Sequence, residues 1–504
     1  MTKKYIEKIL AARVYDVAIE TPLEKAKLLT KRQGNKVLLK REDLQRVFSF
    51  KLRGAYNRIY QLTQGKKVKG VVAASAGNHA QGVALAAKKL GLDAIIVMPQ
   101  TTPGIKVDAV KSYGAKTILI GDNYDEACEY ATEYAAKQKL DFIHPYDDSD
   151  VIAGQGTIGL EMVRQHADFI DAIFIPVGGG GLIAGVGAIV KHLSPKTKII
   201  GVEPADAACM AAAFEKNRRV VLGHVGIFAD GVAVKQVGKE TFRVAKQCVD
   251  EMLTVTTDEI CAAIKDIFDD TRSITEPAGA LAVAGLKKYV SQKKCKGKTL
   301  IAINSGANMN FDRLRHVSER AEIGEQREAL FAVTIPERPG SFKKFCQTIG
   351  KRGITEFNYR YSDDSEAHVF AGVQLRDGMK ERKELISRLK DKKYPVLDMT
   401  DNEMAKMHVR HLVGGRAAMQ DEVLYRFEFP ERPGALLDFL SRIGTRWNIS
   451  LFHYRNHGAA FGRVLVGLQI PKGERKELRQ YLDSLAYPYW EETDNPAYQL
   501  FLSV

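Results

Sequence analysis

From about residue 36 to residue 310, short apolar runs alternate with longer segments in which apolar residues recur every three or four positions. Short runs of this kind predict buried strands, and the longer segments predict helices. The predicted strands are 37–40, 70–74, 94–98, 117–120, 172–177, 198–202 and 300–303. The predicted helices between them include 81–90, 124–138 and 183–193. The alternation predicts an α/β domain with mostly parallel sheets, whose ligands bind at the carboxyl ends of the strands.

After about residue 320 the pattern changes to an internal repeat. The sequence Glu-Arg-Pro-Gly occurs at 337–340 and again at 431–434, an offset of 94 residues. Flanking segments match as well, for example 356–360 with 451–455. Each copy predicts strand, turn, helix, strand, strand and helix, a βαββα unit with ferredoxin-like pairing. Two small, similar domains without an evident catalytic constellation are typical of a binding module, and the charged stretch 319–328 predicts the connection to the first domain.

Composition narrows the class of protein. The chain has 504 residues, of which 45% are apolar and 27% charged, as in ordinary globular proteins. No apolar run approaches the roughly 20 residues that cross a bilayer. The net charge of +14 comes from basic residues interleaved with acidic ones, which is typical of a solvated basic surface and not of a nucleic-acid site. The six scattered cysteines predict reduced thiols in a cytoplasmic protein, without a disulfide framework or a metal site.

A run of four glycines, 178–181, separates the predicted strand 172–177 from the helix that follows. Such a loop lets the backbone wrap around a phosphate at the start of a helix. The cofactor stays open at this point, because the spacing Gly179-x-Gly181-x-x-Ala184 also fits a dinucleotide fingerprint. Glu203 then follows at the distance expected of an NAD ribose ligand.

Four further stretches present candidate chemistry near helix starts or strand ends. They are 49–55, with Lys51 after an aromatic residue, 75–82, with Asn78, 275–281, with Glu276, and 304–308, with Ser305. Small and polar residues there can bind an anion through backbone N–H groups. Each stretch taken alone fits a structural turn or a solvated lysine at least as well.

The ordered set of these motifs, together with the duplicated Pro-Gly motif, resembles the fold-type II pyridoxal-phosphate (PLP) enzymes over essentially the whole chain. Within that group it is similar to the biosynthetic threonine ammonia-lyases that carry a C-terminal pair of ACT-like domains. Single motifs have low or moderate specificity, whereas the ordered set is highly specific. Because Ala278 offers no hydroxyl, a contact from the 275–281 turn must come from Glu276 or from the backbone.

The resemblance implies a role for each matching residue. Lys51 bonds covalently to the cofactor and later takes the Cα proton, Phe50 packs near the cofactor ring, and Ser305 faces the pyridine nitrogen. Asn78 hydrogen-bonds the pyridoxal 3-oxygen. The phosphate is held by Gly178, Gly179, Gly180, Gly181 and Leu182. The substrate is held by Ser75, Ala76, Gly77, Asn78 and His79, which grip its carboxylate, and by Glu276.

The implied reaction is β-elimination of L-threonine to 2-oxobutanoate and ammonia, the first committed step of isoleucine biosynthesis, with L-serine as a further substrate. Isoleucine inhibits and valine opposes it, in a homotetramer. The expected effector pocket lies near the two Pro-Gly turns and includes Leu436, Leu437, Tyr359 and Tyr454. The expected organisation is a catalytic domain at 1–320, a connection at 321–328, regulatory domains at 329–400 and 422–494, and a linker at 401–421.

Three alternatives stay open from the sequence. The same cofactor could serve a serine-preferring dehydratase or a β-replacement enzyme. The glycine loop and Glu203 could belong to an NAD-dependent oxidoreductase, which leaves Lys51 and Ser305 without a role. An amino-acid sensor with an inactive N-terminal half is disfavoured by the intact Lys51.

Overall fold

The computed structural model forms two compact units, Met1–Ala321 and Glu322–Val504. It describes residues 2–65, 67–336, 345, 347–350, 352, 354–360, 366–411, 421–430, 447–455, 461–485 and 487–502. Within these ranges no helix is both long and apolar enough to span a bilayer. The same residues contain no group of three or more His, Cys, Asp or Glu placed to hold a metal ion.

The N-terminal unit contains two sheets. The larger has the order β1-β2-β10-β7-β8-β9 and the smaller β5-β4-β3-β6, and every pairing is parallel except that of β1 with β2. The strands are β1 (Leu23–Lys25), β2 (Lys36–Arg41), β3 (Val71–Ala74), β4 (Ala94–Met98), β5 (Lys116–Leu119), β6 (Asp141–Phe142), β7 (Ala172–Pro176), β8 (Lys198–Pro204), β9 (Glu251–Val255) and β10 (Thr299–Asn304). All seven predicted strands are present, which confirms the α/β class.

Helices pack on both sheets. They are Thr2–Leu10, Lys27–Gln33, Lys51–Gly65, Asn78–Lys89, Gly104–Ser112, Tyr124–Gln138, Ser149–Gln165, Gly181–Leu193, Cys209–Glu215, Lys239–Cys248, Thr257–Thr271, Pro277–Lys293 and Arg313–Gly324, with short 3-10 turns at Glu42–Leu44 and Asp230–Val232. The central strands are buried on both faces because helices cover both, and their sequences are therefore continuously apolar. Two of the predicted helices begin two or three residues earlier than the spacing indicates, at Asn78 and Gly181.

The C-terminal unit holds two four-stranded antiparallel sheets with the same order, β12-β13-β11-β14 and β16-β17-β15-β18. The strands are β11 (Glu328–Pro336), β12 (Ile354–Arg360), β13 (Glu366–Gln374), β14 (Val396–Asp398), β15 (Glu422–Pro430), β16 (Asn448–Arg455), β17 (Phe461–Gln469) and β18 (Tyr489–Glu491). Helices described there are Gly378–Asp391, Glu403–Met407, Arg475–Ser484 and Pro496–Phe501, with 3-10 turns at Val409–His411 and Lys472–Glu474. Ferredoxin-like pairing is confirmed, and each predicted βαββα unit gains a fourth strand, β14 or β18.

The two sheets of this unit share a hydrophobic cluster. Along β11, odd-numbered residues such as Phe331 pack against the helix Gly378–Asp391, while Leu330 and Ala332 point the other way. Because side chains alternate along a strand, one strand can line two cores. Leu330 of the first sheet and Leu424 of the second lie in one buried cluster, which also contains residues of the helices Glu403–Met407 and Pro496–Phe501.

The repeat extends to polar contacts. The Thr400 hydroxyl accepts a 3.0 Å hydrogen bond from the backbone N–H of Leu330, and Thr493 does the same for Leu424. Asn402 caps one short helix and Asn495 caps its counterpart, and the two side chains hydrogen-bond to each other at 3.2 Å. The chain segments that would line the expected effector pocket fall outside this description. Leu436 and Leu437 lie outside the described residues, and of Tyr359 and Tyr454 only the strand positions, in β12 and β16, are described.

Candidate active site

Lys51 is the first residue of the helix Lys51–Gly65. Its Nζ donates a 3.1 Å hydrogen bond to the carbonyl oxygen of Pro145 and lies 5.5 Å from the ring centroid of Phe50. Burial lowers the pKa of Lys51 to about 8, and the nearby carboxyl of Glu276 opposes that shift. Because a buried site disfavours the ammonium form, a larger fraction of this amine is neutral, and so able to act as a nucleophile or base, near neutral pH than in an ordinary lysine.

Backbone contacts fix the segment that leads into Lys51. The N–H of Phe50 donates to the carbonyl of Ser305 at 3.2 Å, and the N–H of Ala307 donates to the carbonyl of Phe48 at 2.8 Å. Ser49 and Gly306 form a bridge between these two contacts. The structure therefore brings the stretches 49–55 and 304–308 together.

A buried group of charges anchors the same helix from its other side. Arg53, two residues after Lys51, donates to Glu42 at 2.8 Å and to Glu161 at 2.5 Å, and Lys40 reaches Glu161 at 2.6 Å. All four side chains are fully buried. Sequence reasoning missed this group, although a lysine inside the apolar run 37–40 was a signal for it, because buried lysines are almost always paired.

Residues from other segments pack directly against the four-glycine loop. A Cβ atom on Gly179 would lie 2.3 Å from ring atoms of Tyr146, and one on Gly178 would lie 2.9 Å from Val232. Gly180 has φ +94°, a left-handed conformation that favours glycine, and the helix Gly181–Leu193 starts at the next residue. The loop therefore needs glycine for its packing, and it delivers free backbone N–H groups to the start of a long helix.

The loop 75–79 meets Glu276. The Asn78 amide donates a 2.6 Å hydrogen bond to Glu276 and accepts one of 2.6 Å from the amide of Asn308. Burial raises the pKa of Glu276 to about 7, with the charge of Asp230 adding to the shift and the Asn78 hydrogen bond opposing it. Ser75 accepts from the N–H of Gly77 at 3.2 Å.

The ring of His79 is buried within the protein, with Nε2 2.9 Å from the carbonyl oxygen of Ile143. Burial lowers the pKa of His79 to about 3, so the ring is neutral at physiological pH. Any role of His79 in anion binding therefore falls to its backbone N–H and not to a charged ring.

Ser305 sits at the end of β10, where it is 3% exposed and its hydroxyl donates to the carbonyl of Ala278 at 3.4 Å. Next to it, the Thr275 hydroxyl bonds Asn304 at 2.6 Å and the carbonyl of Gly306 at 2.7 Å. Hydrogen bonds therefore join the stretches 275–281 and 304–308, which are separate in sequence.

Asp230 completes the surroundings of the site and was missed by sequence reasoning. Its carboxylate pairs with Lys106 at 2.7 Å and with Arg313 at 3.3 Å. The next residue, Gly231, lies beside both members of the Asn78–Glu276 pair, and a Cβ on it would be 3.5 Å from Glu276 and 3.8 Å from Asn78. No local pattern marks these residues, because only the fold brings Lys106 and Arg313 to Asp230.

Comparison with known proteins assigns this arrangement to a family. A sequence profile for pyridoxal-phosphate-dependent enzymes matches residues 14–306, and one for the C-terminal regulatory domain of threonine dehydratase matches 319–409 and again 413–502. The biosynthetic L-threonine dehydratase IlvA of Burkholderia multivorans is 54% identical over 503 residues, covering 99% of both chains. The chain belongs to the biosynthetic threonine dehydratases.

Other members of this dehydratase family are also similar to the chain in sequence and in fold. IlvA of Escherichia coli is 52% identical over 501 residues, covering 99% of this chain and 97% of its own. Among solved structures, processed threonine deaminase isoform 2 from Solanum lycopersicum superposes with a TM-score of 0.62 at 53% identity, covering 64% of this chain and 93% of that one. The chain is therefore a PLP-dependent lyase with a C-terminal regulatory region.

The residues around Lys51 fit PLP. The site offers a lysine of lowered pKa beside an aromatic ring, a glycine loop at a helix start and a neutral hydroxyl at a strand end. Ser49 Oγ, His79 Nδ1 and Asn304 Nδ2 are among the buried side-chain atoms of the described residues that have no hydrogen-bond partner. Buried polar atoms are rarely left unpaired, and these three lie on the segments that surround Lys51.

Family membership decides against the NAD-dependent alternative, and the structure shows what Glu203 does instead. Its buried carboxylate accepts hydrogen bonds of 2.8 Å from the backbone N–H groups of Met210 and Ala211. Burial raises the pKa of Glu203 to about 7. The Glu203 carboxylate therefore binds the first N–H groups of the helix Cys209–Glu215 and is not available to a ribose.

Proposed function

We propose that this chain converts L-threonine to 2-oxobutanoate and ammonia by β-elimination. The observation that carries the proposal is the Lys51 amine of lowered pKa, placed on a segment that is hydrogen-bonded to the Ser305 segment and electrostatically coupled to Glu276. PLP, when bound, accepts the electron pair released at the substrate Cα. L-serine, which also carries a β-hydroxyl, is a second substrate of the same chemistry.

The chain's own residues supply binding and proton transfer. Lys51 holds the cofactor and, once released by the incoming substrate amine, takes the Cα proton. The backbone of residues 75–79 binds the substrate carboxylate at the start of a helix, where the partial positive charge favours an anion. With PLP in the site, Phe50 would pack beside its ring, Asn78 would hydrogen-bond its 3-oxygen, and residues 178–182 would bind its phosphate. Ser305 would offer a neutral hydroxyl to the ring nitrogen, and Glu276 would contact the substrate.

The test is production of 2-oxobutanoate from L-threonine by the purified, PLP-loaded protein. We expect turnover that Lys51→Ala abolishes and that Lys36→Ala, in an exposed ion pair with Asp168, leaves intact. Comparing kcat/KM for threonine and serine separates this proposal from a serine-preferring dehydratase. Failure to form any oxo acid with full PLP loading would favour a β-replacement reaction.

We further infer that isoleucine inhibits the enzyme and that valine relieves the inhibition through the C-terminal unit. The support is the match of both repeats to the regulatory domain of threonine dehydratase. An effector acts only by binding one state of the enzyme better than another. A titration of activity with isoleucine should give sigmoidal loss that valine reverses, and substitution of Leu436, Leu437, Tyr359 or Tyr454 should weaken the response. Turnover that does not respond to isoleucine would support the lyase activity and would rule out isoleucine and valine as effectors.

The remaining proposals concern organisation. We propose a cytoplasmic homotetramer with a catalytic domain at 1–320, regulatory domains at 329–400 and 422–494, and connections at 321–328 and 401–421. Light scattering on the purified holoenzyme should give four times the chain mass of 56.0 kDa. A mass of one or two chains would reject the tetramer without affecting the catalytic proposal.

A further inference from the structure

The ion pair between Lys106 and Asp230 joins two layers of the N-terminal unit. Lys106 lies on the helix Gly104–Ser112, whose Val107 and Val110 pack in the core beneath the smaller sheet. Asp230 lies in a turn whose neighbours Ala229 and Val232 pack in a core of the larger sheet. The 2.7 Å contact between Nζ and Oδ2 therefore joins the two layers, and the region between them that contains the Asn78–Glu276 pair is called the cleft below.

The turn that carries Asp230 touches both halves of the proposed site. Gly231 faces the Asn78–Glu276 pair, and the backbone of Val232 packs against Gly178 of the glycine loop. Moving the helix Gly104–Ser112 away from this turn would therefore open the substrate side, where Asn78 meets Glu276, whereas the contact of Val232 with Gly178 lies within one layer.

Asp230 is held on its own layer by a second contact. Arg313, only 7% exposed, bonds Asp230 at 3.3 Å and the carbonyl of Phe228 at 3.1 Å. Val317 on the same helix packs in the core of the larger sheet. Burial alone would raise the pKa of Asp230, but Arg313 and Lys106 hold it well below its usual range. The carboxylate is therefore charged while both partners are in place, and Arg313 remains beside it when Lys106 leaves.

We propose that Lys106 and Asp230 are positioning residues that form a latch, holding the cleft closed over bound substrate while Arg313 keeps the Asp230 side in place. Opening breaks the ion pair of Lys106 with Asp230, and Arg313 still neutralises the Asp230 carboxylate. The inference rests on the proposed active site, but it concerns access to that site and not the reaction performed there.

The test measures access to the cofactor carbon that Lys51 holds, using hydroxylamine and the loss of cofactor absorbance in the substrate-free holoenzyme. Lys106→Gln should speed this reaction about fivefold, since a partly buried ion pair contributes on the order of 1 kcal/mol. Lys106→Arg keeps the charge and should restore the slow rate. KM for threonine should rise by a similar factor in K106Q, with a smaller change in kcat.

Lys235 provides the matched control. It pairs with Asp125 on the helix Tyr124–Gln138, which packs on the smaller sheet, but both side chains are more than half exposed. Lys235→Gln should leave the hydroxylamine rate within twofold. An unchanged rate in K106Q, or equal acceleration in K106Q and K235Q, would overturn the latch. Because the assay needs no turnover, it can succeed even if threonine is not the substrate.

Discussion

The side-chain amide of Asn78 lies 2.6 Å from Oε1 of Glu276, and this hydrogen bond links the helix start at residue 78 to the turn before residue 277. Glu276 is 3% exposed, and its pKa of about 7 places it near half-ionisation at neutral pH. A carboxyl kept this close to neutrality by burial has consequences for both stability and rate.

The first prediction concerns stability. Folding raises the pKa of Glu276 from 4.5 to about 7, so the native state holds an extra proton between these values. Stability contributed by this group therefore falls as pH rises through that window. Glu276→Gln removes the penalty, and its melting temperature should exceed that of the wild type at about pH 7.5 but not at about pH 4.5. Asp168→Asn, at a side chain 78% exposed, should show no such divergence.

The second prediction concerns rate. Protonation of Glu276 weakens the charge-assisted hydrogen bond that orients Asn78, so kcat/KM should fall as pH falls through about 7. The step should vanish in Glu276→Gln, whatever the absolute activity of that variant. A step that persists unchanged in the variant would assign it to another group.

The third prediction tests the glycine loop. Gly179→Ala places a methyl group against the Tyr146 ring, and overpacking of this kind costs about 1–3 kcal/mol, or roughly 5- to 150-fold in PLP affinity. The double variant with Tyr146→Ala makes room and should recover part of the loss in a fluorescence titration. Gly223→Ala, where an added Cβ meets nothing within 4 Å, is the control. Equal PLP affinity in all variants would remove residue 179 from the cofactor site.

The fourth prediction concerns Ser305. A neutral hydroxyl does not enforce a charged ring nitrogen, so negative charge at the substrate Cα is spread less into the ring, which favours prompt loss of the β-hydroxyl. Ser305→Asp should raise by-products such as those of transamination relative to 2-oxobutanoate. Asparagine has nearly the shape of aspartate without its charge, so Ser305→Asn should keep the wild-type product ratio. Identical ratios in both variants would contradict the role of charge.

The fifth prediction concerns the buried charges behind Lys51. Lys40→Met leaves Glu161 with one cation fewer in a fully buried site and should lower the free energy of unfolding by about 3–5 kcal/mol. Lys36→Met removes an exposed pair with Asp168 and should change it by less than about 1 kcal/mol. Urea unfolding of the full chain, followed at the transition of the N-terminal unit, measures the free energy of unfolding of both variants. Comparable effects of the two substitutions would show that the buried group adds no special stability.

Local sequence patterns were enough to predict much of the fold of this molecule. The strand 172–177 and its glycine loop are contiguous, so apolar runs and glycine spacing predicted both. β14 and β18 were missed because three residues are too few to show alternation. The contact of Lys106 with Asp230 was missed for another reason, since 124 residues separate the partners and neither is unusual where it stands.

The cluster shared by Leu330 and Leu424 joins two sheets that lie on one polypeptide. Were these sheets carried on separate chains, their association would follow mass action and fail on dilution. Because one chain carries both, each sheet meets its partner at an effective concentration in the millimolar range. The paired arrangement, with its mirrored threonines and its Asn402–Asn495 contact, therefore persists however little enzyme a cell makes.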